Sequence, residues 1–142
     1  ASACTKIQGQ FTSGASSISQ RAALAAISAD PSVVNEMKSA FLERRDFIIN
    51  ELKRIDGMKI NQPEGAFYVF PDVSSFFGKS IGDRLITDSN DLCLYLLEEA
   101  KVALVTGNAF GSPACLRISY AASMEELKEA MDRISQALSK LS

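Results

Sequence analysis

At 142 residues, with 46% apolar and 23% charged side chains, the chain is long enough to bury a core of its own without disulfides or a structural metal. Fifteen Lys and Arg against 17 Asp and Glu leave a net charge of -2 with no basic block, which argues against nucleic acid or an anionic membrane surface as partner. No histidine is present, so Ser-His-Asp and Cys-His nucleophile systems and most catalytic metal sites are excluded.

Cys4, Cys93 and Cys115 are odd in number, widely spaced and form no C-x-x-C pair, the pattern of idle thiols rather than of a disulfide framework or a zinc site. The apolar runs, such as Val102 to Val105, are too short to span a bilayer, and the Ala-rich start lacks the charged region of a signal peptide. A cytoplasmic protein is the expectation.

In chain order, residues 1–15 are polar and unperiodic and predict no element of their own. Ser17 followed by Gln20 fits a capping box ahead of the Ala-rich stretch Arg21 to Ser28, which predicts a short helix. Asp30-Pro31 is an N-cap followed by proline at the first helical position. From there Val34, Met37, Phe41, Arg45, Ile48, Leu52 and Ile55 recur at three- and four-residue spacing until Gly57, predicting one long helix near residues 31–56. Such a helix either lies across a sheet or runs past the domain onto something else.

The turn Gln62-Pro63-Glu64-Gly65 leads into Ala66 to Phe70, a predicted strand that Pro71 ends. Ser74 to Ser89 reads as a loop anchored by Phe76 and Phe77, followed by a helix from Asn90 to Ala100 with Leu92, Leu96 and Leu97 on one side. Val102 to Val105 and Cys115 to Tyr120 read as two strands that pair through the Gly111-Ser112-Pro113 connection. Ser123 with Glu126 makes a capping box for a terminal amphipathic helix carrying Leu127, Met131, Ile134, Leu138 and Leu141. The order lacks regular strand-helix alternation, so the expected fold class is α+β, a small, mostly antiparallel sheet covered by helices.

No phosphate-binding glycine motif and no metal-loop spacing occurs. What remains are two glycine-punctuated loops, Pro63 to Tyr68 and Thr106 to Gly111, and Arg117 inside an otherwise apolar strand. An arginine on a strand is most often a solvated surface group, and glycine loops are most often turns. The functional readings are chemical: a guanidinium fork matches a carboxylate by two parallel charge-assisted hydrogen bonds, and glycines let backbone approach a ligand closely.

Four segments, KIQGQFTSGASSISQRAALAAI (6–27), PEGAFYVFPDVS (63–74), VALVTGNAFG (102–111) and CLRISYAAS (115–123), together and in this order resemble the C-terminal part of class I, fold type I aminotransferases dependent on pyridoxal phosphate, especially the aspartate and prephenate aminotransferase branch. The resemblance implies that residues 1–15 continue from an upstream cofactor domain and that 16–142 form the aminotransferase C-terminal domain. It assigns Arg117 to the substrate α-carboxylate, places Gly65 and Phe67 on the substrate side of the pocket, and sets Thr12 and Ser13 near a subunit boundary.

It also implies a parent enzyme that moves an amino group from an amino acid, aspartate or glutamate, to a 2-oxo acid, as a homodimer. The motif around the lysine that carries the cofactor does not occur here, so this chain alone is expected to have no catalytic residue, no covalently held cofactor and no transaminase activity. The alternative from another class is a stand-alone α+β binding or dimerisation module using the apolar faces of the long helix and the Thr12-Ser13 segment.

Overall fold

The computed structural model describes residues 1–142, and the chain divides into two compact units, Ala1–Glu36 and Met37–Ser142. The first unit holds helix α1 (Ser2–Phe11), helix α2 (Ser17–Ser28) and a 3-10 turn over Pro31–Val34. None of its residues is buried; Ile7, Phe11, Ile18 and Ile27 are 61%, 87%, 81% and 85% exposed. Helix α1 is unannounced in the sequence, because a helix that buries nothing in its own chain shows no clear apolar stripe. Ser13, at φ +56, and Gly14 take the chain out of it.

The cap of α2 differs from expectation by one residue. Ser16 accepts from the Ser19 amide at 3.3 Å, and Gln20 reaches back to the Ala15 carbonyl at 2.8 Å instead of closing a box with Ser17. At the next start the sequence signal held: Asp30 accepts from the Ser32 amide at 2.8 Å with Pro31 at the first position. The long helix itself is shorter than predicted. Pro31–Val34 is a 3-10 turn, α3 runs Asn35–Leu52, and i→i+3 bonds from Arg54 and Ile55 then tighten the chain toward Gly57, at φ +92, whose carbonyl accepts from the Ser75 hydroxyl at 2.7 Å.

The second unit is built on a three-stranded antiparallel sheet with order β1-β5-β4: β1 Tyr68–Val69, β4 Val105–Thr106 and β5 Leu116–Ser119. Tyr68 pairs with Ser119 and Val69 with Ile118 on one side of β5, and Val105 pairs with Arg117 on the other. The predicted strand Ala66 to Phe70 keeps only two residues, because Ala66 sits at φ +67 and Pro71 has no N–H to give a ladder. Pairing by β4 and β5 follows the sequence expectation, although β4 begins three residues later than Val102.

The segment expected to be a plain loop contains a hairpin, β2 Ser80–Ile81 and β3 Arg84–Leu85, turned at Gly82-Asp83 with Gly82 at φ +55. That Gly-Asp pair is the signal the sequence offered. Helix α4 spans Ser89–Tyr95, capped by Asp88 onto the Asn90 and Asp91 amides at 2.8 and 2.9 Å, and widens into a π-helical turn over Leu96–Ala100. Leu97 departs from the expected face: Leu92 and Leu96 are fully buried, whereas Leu97, next to Leu96 and not a whole number of turns from Leu92, is 47% exposed. Helix α5, Met124–Leu138, starts at the Ser123–Glu126 capping box and buries Leu127, Met131, Ile134 and Leu138; Leu141, expected on the same helix, lies past its end and is buried as well.

One core results. Ile48, Ile49 and Leu52 of α3, Val69, Leu116 and Ile118 of the sheet, Leu92, Tyr95 and Leu96 of α4, and the apolar face of α5 share it. Val69, Leu116 and Ile118 all point into it, so strand alternation sends Tyr68 and Arg117 out of the opposite face. That alternation positions the site.

Candidate functional site

Arg117 alternates with Leu116 and Ile118, both buried, and its side chain therefore leaves the core face while its backbone stays locked between β1 and β4. It opens into a cleft of about 310 Å³ lined by Asn61, Pro63, Gly65, Ala66, Tyr68, Phe70, Phe110 and Arg117. Two rings flank the guanidinium: its carbon lies 5.6 Å from the centre of the Tyr68 ring and 5.2 Å from that of Phe110. Phe70 meets Phe110 edge-on, ring centres 5.8 Å apart at 86°.

The rings orient Arg117 without satisfying it. A cation–π contact at a partly exposed site contributes about 0.5–1 kcal/mol, whereas hydrogen bonds to a charged group contribute about 1.5–3 kcal/mol. No carboxylate lines the cleft, and Arg117 enters none of the chain's four salt bridges, which join Arg45 to Asp46, Arg54 to Glu51, Arg84 to Glu98 and Arg133 to Glu129. The site thus presents a pre-oriented planar cation, aromatic on two sides and without a counter-ion, which is the arrangement a small carboxylate requires.

Two loops complete the walls. Phe110 is carried by a 3-10 turn over Gly107–Phe110, which Thr106 caps at the Asn108 amide, 3.3 Å. The Thr106 hydroxyl is itself paired at 2.8 Å with that of Ser89, a fully buried residue at the start of α4. Gly107 is forced by close approach: its amide donates to the Cys115 carbonyl at 2.8 Å, and a Cβ there would overlap the carbonyl oxygens of Ser112 and Cys115. On the other side the Pro63–Phe67 segment is fixed by its carbonyls, Pro63 accepting from Arg45 Nη1 at 3.2 Å and Ala66 from the Tyr120 hydroxyl at 3.1 Å.

Of the residues singled out in sequence, Arg117 and Gly65 come together in this cleft. Phe67 is 48% exposed and does not line it; its ring stands edge-on against Tyr68 at 5.6 Å, and its carbonyl accepts from the Tyr120 amide at 2.8 Å. Thr12 and Ser13 lie exposed at the end of α1, with their hydroxyls turned back onto the Gln8 and Gly9 carbonyls at 3.2 and 3.3 Å. Sequence reasoning missed Tyr68, Phe70, Phe110 and Asn61. The period-2 alternation of Tyr68-Val69-Phe70 could have assigned the two aromatics to one face with Arg117, and Phe110 lies in the Thr106 to Gly111 loop already singled out; Asn61 carries no signal in the sequence that places it there.

Other reactive groups stay outside. None of the lining residues is a lysine, so the cleft offers no amine for a Schiff base. Cys93 is buried, and burial pushes its thiol up to about 11, away from any nucleophilic use at neutral pH. No helix is long and apolar enough to cross a membrane.

Residues 1–134 match the family model described as "Aminotransferase class I and II". The chain is 52% identical over 140 residues to the bifunctional aspartate aminotransferase and glutamate/aspartate-prephenate aminotransferase of Petunia hybrida, covering 96% of this chain and 29% of that protein. It is 47% identical over 138 residues to an aspartate aminotransferase of Rhizobium meliloti, covering 96% and 33%. Among solved structures, the aspartate aminotransferase of Rhizobium meliloti superposes with a TM-score of 0.87 at 44% identity, covering 96% of this chain and 34% of that one. The aromatic aminotransferase of Pyrococcus horikoshii gives 0.78 at 31%, covering 95% and 35%. The chain spans about a third of the length of the relatives it matches.

Proposed function

This chain belongs to the class I and II aminotransferase family, and from that premise we propose that it supplies the substrate-carboxylate side of a transaminase active site. The carrying observation is the Arg117 guanidinium, held between Tyr68 and Phe110 over a cleft without a counter-ion. In this reading Arg117 receives the α-carboxylate through two parallel N–H···O bonds, and Tyr68, Phe70 and Phe110 exclude water around them. Asn61, an uncharged donor and acceptor at the rim, is left to orient the ligand.

The substrates are an amino acid, aspartate or glutamate, and a 2-oxo acid, a reading supported by relatives named aspartate aminotransferases at 43–52% identity. Pyridoxal phosphate is the cofactor proposed for the whole enzyme. The cleft residues do not fit the cofactor, since none is a lysine, and the sequence carries no motif around a cofactor-bearing lysine, so its attachment is proposed to lie on residues outside this chain and the isolated chain is proposed to be inactive. A homodimer is proposed with it; the unburied apolar side chains of Ile7, Phe11, Ile18 and Ile27 support a covering surface beyond this chain.

The test is Arg117→Lys in a full-length transaminase carrying this segment. Lysine keeps the charge and loses the fork, so KM for the amino donor is expected to rise about tenfold or more, in line with roughly 1.5–3 kcal/mol for hydrogen bonds to a charged group. An unchanged KM for both amino donor and oxo acid would sink the carboxylate reading.

A further inference from the structure

One stretch of the cleft wall, Gly65-Ala66, borders two cavities. Gly65 and Ala66 line the 310 Å³ cleft, and the same two residues line a second, open cavity of about 190 Å³ together with Phe41 and Arg45 of α3 and Tyr120. Both residues are exposed, and a Cβ at Gly65 would meet no atom within 4 Å, so packing holds this stretch only weakly. Its position depends on the few hydrogen bonds that reach it across the second cavity, and those come from Arg45 onto the Pro63 carbonyl and from Tyr120 onto the Ala66 carbonyl.

Ala66 needs that restraint. It sits at φ +67, in the left-handed region that costs a residue with a Cβ roughly 1–2 kcal/mol. A net hydrogen bond of about 1 kcal/mol is of the size required to hold it there. Tyr120 is well placed to act: it is 2% exposed, its ring is set edge-on against Phe41 at 6.1 Å and 61°, and its amide donates to the Phe67 carbonyl at 2.8 Å, so its phenol cannot follow a moving loop. Burial also holds that phenol above its ordinary range, which keeps it a donor at neutral pH.

We infer that Tyr120 is a positioning residue for the carboxylate cleft: it fixes Ala66 in a left-handed backbone conformation and so sets the wall that faces Arg117, with Arg45 bracing the same wall at Pro63. Tyr120 touches no substrate in this scheme and acts through Ala66 alone. The inference rests on the carboxylate reading of Arg117.

The experiment uses the full-length transaminase carrying this segment, with Tyr120→Phe, Tyr120→Phe combined with Ala66→Gly, and Arg117→Lys as a separate control. Phenylalanine keeps the ring and its packing and removes only the hydroxyl. KM for the amino donor is expected to rise about fivefold in Tyr120→Phe with kcat changed by less than about twofold, the loss of one ordinary hydrogen bond. Glycine occupies the left-handed region without cost, so adding Ala66→Gly is expected to bring KM most of the way back. An unaltered KM in Tyr120→Phe, a fall in kcat instead, or a risen KM that Ala66→Gly does not restore would each overturn the positioning role while Arg117→Lys still raises KM. If Arg117→Lys has no effect on KM, it is the carboxylate reading beneath the inference that fails.

Discussion

The Arg117 guanidinium carbon lies 5.2 Å from the centre of the Phe110 ring, and the two residues reach that distance from opposite ends of the β4–β5 connection. Arg117 comes from the middle of a central strand and Phe110 from a short turn that Gly107 allows. The orientation of the cation is therefore a property of the connection as much as of the strand.

Replacing Phe110 by leucine keeps an apolar wall and removes the ring face. The contact is worth about 0.5–1 kcal/mol at a partly exposed site, so KM for the amino donor in the full-length enzyme is expected to rise about two- to fivefold. Phe110→Tyr, which retains the ring, is expected to stay near the parent value. Equal KM values for the leucine and tyrosine variants would count against orientation by the ring.

Gly107→Ala is expected to cost more than any change at the cleft surface. The added Cβ would overlap the Ser112 and Cys115 carbonyl oxygens and lie 2.9 Å from the Cys115 carbonyl carbon, all of them backbone atoms that cannot rotate away. The strand connection has to shift, and a loss of about 2–3 kcal/mol in urea unfolding is the expected scale for such overpacking. A variant as stable as the parent would show that the β4–β5 connection yields at little cost.

Stability is expected to fall on the acid side through carboxylates held low by hydrogen bonds, Asp30 by the amide and hydroxyl of Ser32 among them. Hydrogen bonds from the hydroxyl and amide of Ser74 hold Asp72 below its usual range, those of Thr87 do the same for Asp91, and the amide and hydroxyl of Ser123 do so for Glu126. A depressed folded-state value means that the unfolded chain binds the proton more readily. The contribution is complete above the ordinary values of 3.8 for the aspartates and 4.5 for the glutamate, and is lost as pH falls through the lower folded values. Acid titration followed by circular dichroism should show a stability slope below about pH 4.5 that weakens in Asp91→Asn. Hydrogen bonds are the largest cause of each shift, ahead of any charge, so added salt should change little about this slope.

Caps and stripes were legible in the sequence because they are local. Asp30-Pro31, the Ser123–Glu126 box and the apolar series from Leu127 to Leu138 each specify their element within a few residues, and the structure keeps all three, although the helix stops short of Leu141. Helix α1 and the Gly82-Asp83 hairpin were missed for opposite reasons: one buries nothing and so shows no period, the other carried a two-residue turn signal inside a stretch read as loop. The order of segments around Gly65, Gly107 and Arg117 was enough to mark the family.

What the sequence determined by itself was the set of elements with strong local signals, the α+β class and the one cation with a planar fork in an apolar strand. Only the tertiary structure decided where that cation looks. The pairing of β5 between β1 and β4 turns Leu116 and Ile118 inward and Arg117 outward, and it brings Tyr68, Phe70 and Phe110 around it from positions up to 49 residues apart in the chain. Strand register and loop closure are long-range properties, set by which faces can be buried together, and no window of neighbouring residues contains them.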